Sequence, residues 1–364
     1  MNKTKMNTNI DLTAINKYFN INNEKPDNTY NNTNNTTKYR SVITQKSPLS
    51  DNEITVSQII TQIPYYTNFF SVLHDYETLN ISKLNEIVIE KLQITENMNY
   101  YLFKYNDQHC IDFTDYLYNF KSIKKLCFYM IDTLYHLLNG LSVLHSNKVC
   151  FFNISPQNIV FLEHYREKPV LNDFSLALQV NELDYHYISI ILNKLDDFTY
   201  QPFEIHILYY FIKNHISTIS YSFMEEFCEN FVENLPILML FSANYKQTYK
   251  SQCIETMKKY INRSQNDIIN DILERNDKWD IYGLSLLYLK IFGSISRIFS
   301  LNQHIISKIT MLLLKNIHPN SDKRMSLENT SNSINKLLNE PEDWNIFNKL
   351  DNHKMEQLMD EISK

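Results

Sequence analysis

The clearest pattern of hydrophobic and polar positions in this chain is an apolar stripe with helical spacing in its first half. Apolar residues recur there every three or four positions: Ile123, Leu126, Met130, Leu134, Leu137, Leu141 and Leu144. This spacing places them on one face of a helix of about six turns, which predicts a long helix packed against a core. From residue 200 onward the pattern is helical almost to the C-terminal end.

Short β-type segments lie on both sides of that helix. Tyr39–Gln45 and Tyr100–Tyr105 are rich in β-branched and aromatic residues, which predicts two strands ahead of it. Asn158–Leu162 and Val170–Asp173 have the same character and predict a hairpin after it. The expected fold class is therefore α+β, with a small mixed N-terminal portion followed by a large helical portion.

Two shorter helices are expected before the long one. Ser50 and Glu53 have the spacing of a capping box, and apolar residues follow them at helical spacing from Val56. This pattern predicts a helix that begins near residue 50 and ends at Pro64. A second short helix is expected over Asp112–Phe120.

Composition narrows the possible classes of function. The chain contains only three glycines, Gly140, Gly283 and Gly293, so a glycine-rich phosphate loop of the Walker, Rossmann or kinase type cannot be present. The net charge of −6 gives no sign of a nucleic-acid partner. The longest apolar stretches are shorter than the roughly 20 residues of a membrane span, so no membrane partner is expected.

The cysteines and the N-terminal segment indicate an intracellular protein. Five cysteines, an odd number with no Cys-x-x-Cys pair, favour buried, reduced thiols in a cytoplasmic compartment. Residues 1–37 are rich in Asn and Thr and have few large apolar residues, which predicts a disordered leader. The first residues lack the apolar segment of a signal peptide.

Four local motifs, in this order, resemble those of the eukaryotic-type protein kinases. They are a catalytic-loop-like segment, a D-F-G-like segment, an A-P-E-like segment and a D-x-W/Y-S-L-G-like helix start: Val149–Val160 (VCFFNISPQNIV), Leu171–Ser175 (LNDFS), Gln201–Glu204 (QPFE) and Asp280–Ser285 (DIYGLS). Arg324 stands where the family has a late arginine. The resemblance covers residues 120–335, and Tyr39–Phe70 resembles, more loosely, kinase-like proteins of large DNA viruses.

The resemblance implies a bilobal protein-kinase-like fold with an abbreviated N-terminal β lobe and a large helical C-terminal lobe. The implied domains are the leader 1–37, a small N-lobe over 38–105, a helical C-lobe over 106–340 and a C-terminal helical tail over 341–364. It also implies structural roles for three residues. Glu204 and Arg324 would form a buried ion pair, and Asp280 would accept N–H bonds from the catalytic loop.

The catalytic positions of the family are altered in this chain. Asn153 stands where the family has the aspartate that accepts the substrate proton, and Ser155 where it has a lysine. An amide is not a base at physiological pH and a hydroxyl carries no charge, so no catalytic residue is expected. Asn158 and Asp173 occupy the two metal-ligand positions and could hold Mg²⁺. The alternative is that Asn158 only ties down the loop and Asp173 only caps the next turn.

The nucleotide-ordering pair of the family has one candidate here, Lys46 with Glu53. These residues are only seven positions apart, closer than the family's separation, and Glu53 is equally explained as the capping-box residue. The resemblance therefore implies that binding of Mg²⁺ and ATP is weak or absent.

The expected function is that of a pseudokinase, a non-catalytic binding or regulatory scaffold. Its partner would be a protein, such as a kinase or a kinase substrate, in the cytoplasm, or in the host cytoplasm if the protein is viral. Two alternatives stay open: a divergent, weakly active Ser/Thr protein kinase that uses Mg-ATP, and a helical interaction module. The sequence does not indicate an oligomeric state.

Overall fold

A computed structural model describes residues 39–79, 89, 98–106, 110–162, 168–214, 218–299, 305–340 and 354–363. The predicted leader, residues 1–37, lies outside the described residues, as do residues 341–353 and 364 of the predicted C-terminal tail. The fold is α+β, mainly helical with small sheets, as the sequence predicts. The division into two lobes stays a prediction.

The described strands are short. Their bounds are β1 (Tyr39–Gln45), β2 (Phe70–Ser71), β3 (Asp75–Leu79), β4 (Tyr100–Asn106), β5 (Cys110–Asp112), β6 (Val149–Cys150), β7 (Ile159–Leu162), β8 (Pro169–Asn172) and β9 (Leu178–Gln179). They form three sheets. An antiparallel sheet has the order β1-β4-β3, a four-stranded sheet the order β2-β8-β7-β5, and β6 pairs with β9.

The described α-helices account for most of the chain after residue 112. Their bounds are α1 (Pro48–Thr61), α2 (Phe113–Tyr118), α3 (Ile123–Ser146), α4 (Tyr185–Leu192), α5 (Phe203–Asn214), α6 (Tyr221–Glu233), α7 (Ala243–Lys258), α8 (Gln265–Leu273), α9 (Trp279–Phe299), α10 (Ile305–Asn316), α11 (Leu327–Leu338) and α12 (Lys354–Ser363). The predicted long helix is α3, and the whole of its predicted apolar stripe is buried.

Helix α1 begins three residues earlier than the capping-box interpretation predicts. Its N-cap is Ser47, whose hydroxyl accepts the N–H bond of Ser50, while the Ser50 hydroxyl lies 2.8 Å from the Ser47 backbone nitrogen. Pro48 then occupies the first helical turn, where its missing N–H costs nothing. The Ser50–Glu53 capping box is therefore wrong. Glu53 lies inside the helix, free to point elsewhere.

The core is built around two helices, α3 and α9, which pack on each other; α9 also packs on α10 and α12, and α3 packs on α11. Helix α9 is buried along almost its whole length. By length and composition its segment Asn276–Phe299 could cross a membrane, but 78% of that apolar window is buried inside the protein, as expected for a core helix. The sequence did not reveal this length because polar residues such as Ser285 and Lys290 interrupt the apolar run.

The cysteines are free thiols in the described structure. Four of them are buried, and Cys110 at the start of β5 is exposed. This distribution agrees with the prediction that most of the thiols are buried.

Candidate functional site

The β7–β8 hairpin brings the catalytic-loop-like segment and the D-F-G-like segment together. In its antiparallel register Ile159 lies opposite Leu171. Asn158 immediately precedes β7, and Asp173 immediately follows β8. The two predicted metal-ligand residues therefore leave the same end of the hairpin, as a site shared between them would require.

Asn158 and Asp173 each make a local hydrogen bond. The Asn158 amide donates to the carbonyl oxygen of Asn153 at 3.0 Å. Asp173 Oδ1 accepts the hydroxyl of Ser175 at 2.6 Å and its N–H at 3.3 Å. Asp173 holds a left-handed backbone, with φ of 64°, a conformation that the aspartate side chain tolerates through such turns. Loop bracing and turn capping, the alternative to metal binding, are thus both present.

These bonds leave oxygen atoms that could bind a cation. Among the described residues, Asn158 Oδ1 and Asp173 Oδ2 have no hydrogen-bond partner. One amide oxygen and one carboxylate oxygen are the ligand types that Mg²⁺ takes in proteins. The residues present therefore fit Mg²⁺ in their chemistry.

Asn153 and Ser155, which the resemblance places at altered catalytic positions, lie on the same loop. Asn153 and Ser155 are both partly buried, and the Asn153 N–H contacts the carbonyl oxygen of Phe151 at 2.6 Å. The Ser155 carbonyl accepts the N–H of Asn158 at 3.1 Å, which closes a short turn. Neither side chain can accept a proton as a base at neutral pH or supply a positive charge.

Asp280 holds the catalytic-loop-like segment in place through hydrogen bonds to its backbone. Its two carboxylate oxygens accept the backbone N–H groups of Phe151 at 2.8 Å and Phe152 at 2.7 Å, and His145 Nε2 lies 2.9 Å from Oδ2. Phe152 has φ of 62°, a costly conformation for a bulky residue, so the surrounding contacts must hold it there. The Gln201 side chain supplies a further contact by donating to the Phe152 carbonyl at 2.8 Å.

Cys150 lies beside this carboxylate. The ligand-type atoms of His145, Cys150 and Asp280 are all within 4.8 Å of one another. Burial raises the pKa of the Cys150 thiol well above its ordinary value, so the thiolate that a metal would need is disfavoured. Both oxygens of Asp280 are already used by N–H groups. The cluster is therefore best explained as the brace of the loop.

Gly283 allows helix α9 to approach the loop closely. A Cβ atom at this position would lie 3.0 Å from Ile154 Cβ and 3.0 Å from the carbonyl oxygen of Tyr200. Backbone at Tyr200 cannot move away as easily as a flexible side chain could. The glycine in the DIYG segment therefore sets the distance between the helix, the loop and the segment before Gln201.

The Glu204 and Arg324 side chains form a two-point ion pair inside the protein. Both residues are buried, with exposures of 5% and 4%. Arg324 Nε also donates to the carbonyl of His318 at 2.7 Å, and its guanidinium lies 4.7 Å from the ring centre of Tyr282. The partners come from α5 and from the turn before α11, so the pair joins two elements that are distant in sequence.

Lys46 and Glu53 are not brought together. Lys46 is exposed and its Nζ lies 5.5 Å from the ring centre of Tyr101, whereas Glu53 Oε1 accepts the hydroxyl of Tyr105 at 2.7 Å. Among the described residues no ion pair joins the two. Their separation follows from the early start of α1, which turns Glu53 inward while Lys46 stays outside the helix.

Glu53 instead lies near Asp173. Burial of its carboxyl group, and then the charge of Asp173, raise the pKa of Glu53 to about 7, and the hydrogen bond from Tyr105 opposes this rise. Arg40 on β1 lies over the Tyr105 ring, 5.4 Å from its centre. A carboxyl group with a raised pKa beside the D-F-G-like segment is not expected from the sequence, because the spacing of Ser50 and Glu53 indicates a helix cap.

Asn52 is another residue that the sequence analysis missed. Its side-chain amide donates to the carbonyls of Ser175 at 2.9 Å and Ala177 at 2.8 Å, and its Oδ1 accepts the hydroxyl of Tyr187 at 2.8 Å. These bonds tie α1 to the segment that follows Asp173. No local signal could have revealed them, because the partners are more than 120 residues away.

Comparison with known proteins gives a distant structural likeness. No family model matches the chain, and no curated protein matches it. Among solved structures, it is similar to one described as "Titin kinase and its flanking domains", with a TM-score of 0.39 and 12% sequence identity. The match covers 86% of this chain and 43% of that one, so the chain spans less than half of the structure it resembles.

Proposed function

We propose that this chain is a catalytically inactive protein of the protein-kinase fold, a pseudokinase, that acts as a binding or regulatory scaffold. The observation that carries the proposal is the contrast within one loop. Asp280 accepts two backbone N–H bonds of the loop, while the loop itself presents Asn153 and Ser155 where a kinase needs a base and a cation.

A braced loop without reactive groups supports a role in binding. The Glu204–Arg324 pair and the Asp280 contacts maintain the shape of the segment between Phe151 and Phe203. A stable surface of this kind suits recognition of another protein, and the proposed partner is a kinase or a kinase substrate. No role for nucleic acid or membrane is proposed.

The proposed compartment is the cytoplasm. Four buried free thiols and one exposed free thiol suit a reducing environment, where disulfides do not persist. The looser resemblance to kinase-like proteins of large DNA viruses would make this the cytoplasm of a host cell.

The second candidate function is that of a divergent, weakly active Ser/Thr protein kinase. It is favoured by one observation: Asn158 Oδ1 and Asp173 Oδ2, at the same end of the hairpin, accept no hydrogen bond from any residue that the structure describes. When bound there, Mg²⁺ would neutralise charge on the phosphates of ATP. The chain's own residues would then orient the nucleotide only weakly, because Lys46 and Glu53 are apart and no glycine-rich loop exists.

Two assays on the full chain test the proposal. Transfer of labelled phosphate from ATP to a protein substrate separates the two candidates, because only the second allows transfer. A thermal shift with ATP and Mg²⁺ then separates the weak kinase, which requires nucleotide binding, from a helical interaction module, which forbids it. Activity that depends on Asp173 would replace the first candidate with the second.

A further inference from the structure

A cavity of about 550 Å³ lies among α2, α9, α12 and the segment between α6 and α7. It is a separate space from the candidate site, although Pro156 and Gln157 of the loop form part of its wall. Cavities of roughly 300–1,000 Å³ hold small organic ligands. Most of its lining is apolar, including Phe113, Leu117 and Leu286.

One charged side chain in the wall of this cavity, that of Lys290, has no ion-pair partner among the described residues. Lys290 on α9 is partly buried, and none of the residues that the structure describes gives it a hydrogen bond or an ion pair. Burial lowers the pKa of its amine, as expected for an ammonium group that has lost water without gaining a partner.

The other charged residues of the lining differ from Lys290. Arg297 forms an ion pair with Glu361 of α12. Asp197 is exposed to solvent, and its Oδ1 accepts the N–H of Thr199 at 2.8 Å. The partly buried charge that has no ion-pair partner among the described residues is therefore that of Lys290.

We propose that this cavity binds an amphiphilic carboxylate of the fatty-acid type, with its carboxylate on Lys290 and its chain along the apolar wall. A carboxylate would restore the partner that the lysine lacks, and the methylene groups of the chain would be stabilised by leaving water for the apolar wall. An acidic peptide fits less well. It would bring several backbone N–H and C=O groups against a wall that offers few polar partners.

The binding test uses the full chain and calorimetric titration with octanoate, dodecanoate and hexadecanoate. Dodecanol and dodecylammonium serve as probes with the same chain and a neutral or positive head. Lys290→Met removes the proposed partner, and Lys336→Met, at an exposed position on α11, is the matched control. Met239→Glu adds a negative charge at the cavity, at a side chain that is 72% exposed, so the charged group can remain in water.

The expected result is saturable binding of one dodecanoate per chain. Lys290→Met should weaken it by about tenfold or more, the loss of one charge-assisted hydrogen bond, and leave dodecanol binding unchanged. Lys336→Met should leave the binding of dodecanoate and of dodecanol unchanged. Met239→Glu should weaken the binding of dodecanoate but not that of dodecanol. The proposal is overturned if no acid of the series binds, if Lys290→Met binds dodecanoate as the wild type does, or if dodecylammonium binds as tightly as dodecanoate. Binding of an acidic leucine-rich peptide in place of every acid would also overturn it.

Discussion

Arg324 Nη1 and Nη2 lie 2.7 Å from Glu204 Oε1 and Oε2, respectively, so that two parallel hydrogen bonds join a guanidinium and a carboxylate inside the protein. Such a fork-to-fork arrangement combines charge with fixed geometry. It fastens the end of the segment that begins at Asp173 to the turn before α11. The segment is thus held at Glu204, 31 residues beyond the aspartate.

Replacing either partner of this pair with alanine should destabilise the protein by roughly 3–5 kcal/mol, because the remaining charge is left buried without a partner. The double replacement should cost clearly less than the sum of the single ones. Urea unfolding measures the loss in the free energy of unfolding for the two single variants and for the double variant. The matched control is Lys308 with Glu340, an ion pair of 2.9 Å between partly exposed side chains, whose loss should cost about 1 kcal/mol or less. Small and additive effects at Glu204 and Arg324 would contradict the account.

Asp280→Asn should loosen the loop without creating a cavity. The new amide would direct an NH₂ group toward one of two N–H donors, from Phe151 or Phe152, which leaves that donor unsatisfied. We expect a loss of roughly 2–4 kcal/mol in the free energy of unfolding. Asp277→Asn, one turn earlier and exposed, should change it by less than about 0.5 kcal/mol. Equal effects of the two replacements would mean that Asp280 does not brace the loop.

Glu53 should make the protein less stable as the pH rises. Its folded pKa of about 7 exceeds the ordinary 4.5, so between these values the folded state binds more protons than the unfolded state. The stabilising contribution is complete below pH 4.5 and is lost as the pH rises to about 7, a change of about 3 kcal/mol.

Glu53→Gln keeps the size of the side chain and its acceptor for Tyr105 but removes the titration. The variant should therefore unfold at a higher urea concentration than the wild type at pH 8 and at a similar one at pH 5. Subtracting the two profiles cancels the other titrating groups, including His206, whose pKa burial lowers to about 4. If the stabilities of the wild type and of Glu53→Gln change in parallel with pH, the pKa of Glu53 is not raised in the folded protein.

Asn52 should hold the segment after Asp173 through the two hydrogen bonds that its amide donates. Asn52→Asp removes the donors and places a negative charge against the carbonyls of Ser175 and Ala177, so faster proteolytic cleavage between residues 175 and 200 is expected. Gln58→Glu makes the same chemical change at an exposed position of α1 and should leave the cleavage rate unchanged. Equal cleavage rates for Asn52→Asp and the wild type would show that Asn52 does not hold the segment after Asp173.

Local patterns in the sequence predict much of the fold but not its side-chain network. The stripe of α3 and the strand β1 are visible because burial leaves a periodic signal within one element. The start of α1 was misjudged because Ser47 and Ser50 both suit an N-cap, and only Pro48 distinguishes them. The contacts of Asn52 depend on chain segments that meet only after folding.

Some features of the candidate site, like some of the fold, can be predicted from the sequence, and others cannot. Glu204, Arg324 and Asp280 could be named in advance because the resemblance supplied their motifs. The proximity of Glu53 to Asp173 could not be predicted from the sequence, since it depends on the rotation of α1 about its axis. A capping residue and an inward-facing carboxyl group can occupy the same position in the sequence pattern.

Restoring the two missing groups should not restore a kinase. Loss of a general base costs about 10²–10⁴ in rate and loss of a charge-stabilising group about 10²–10³. Asn153→Asp with Ser155→Lys returns both groups, but Lys46 and Glu53 still lie apart and no glycine-rich loop covers the phosphates. We expect the double variant to stay far below the roughly 1–100 per second of typical kinases. Turnover in that range would mean that these two positions alone had silenced the site.

The central claim, that the loop is maintained without phosphoryl transfer, is tested most directly by incubating the purified wild-type chain with radiolabelled ATP. Mg²⁺ and Mn²⁺ are each tried, with generic protein substrates and with the chain itself as acceptor. Asp173→Ala, prepared in the same way, reveals any contaminating kinase. The account predicts no incorporation above that of Asp173→Ala. Incorporation by the wild type that disappears in Asp173→Ala would contradict it and establish a divergent kinase.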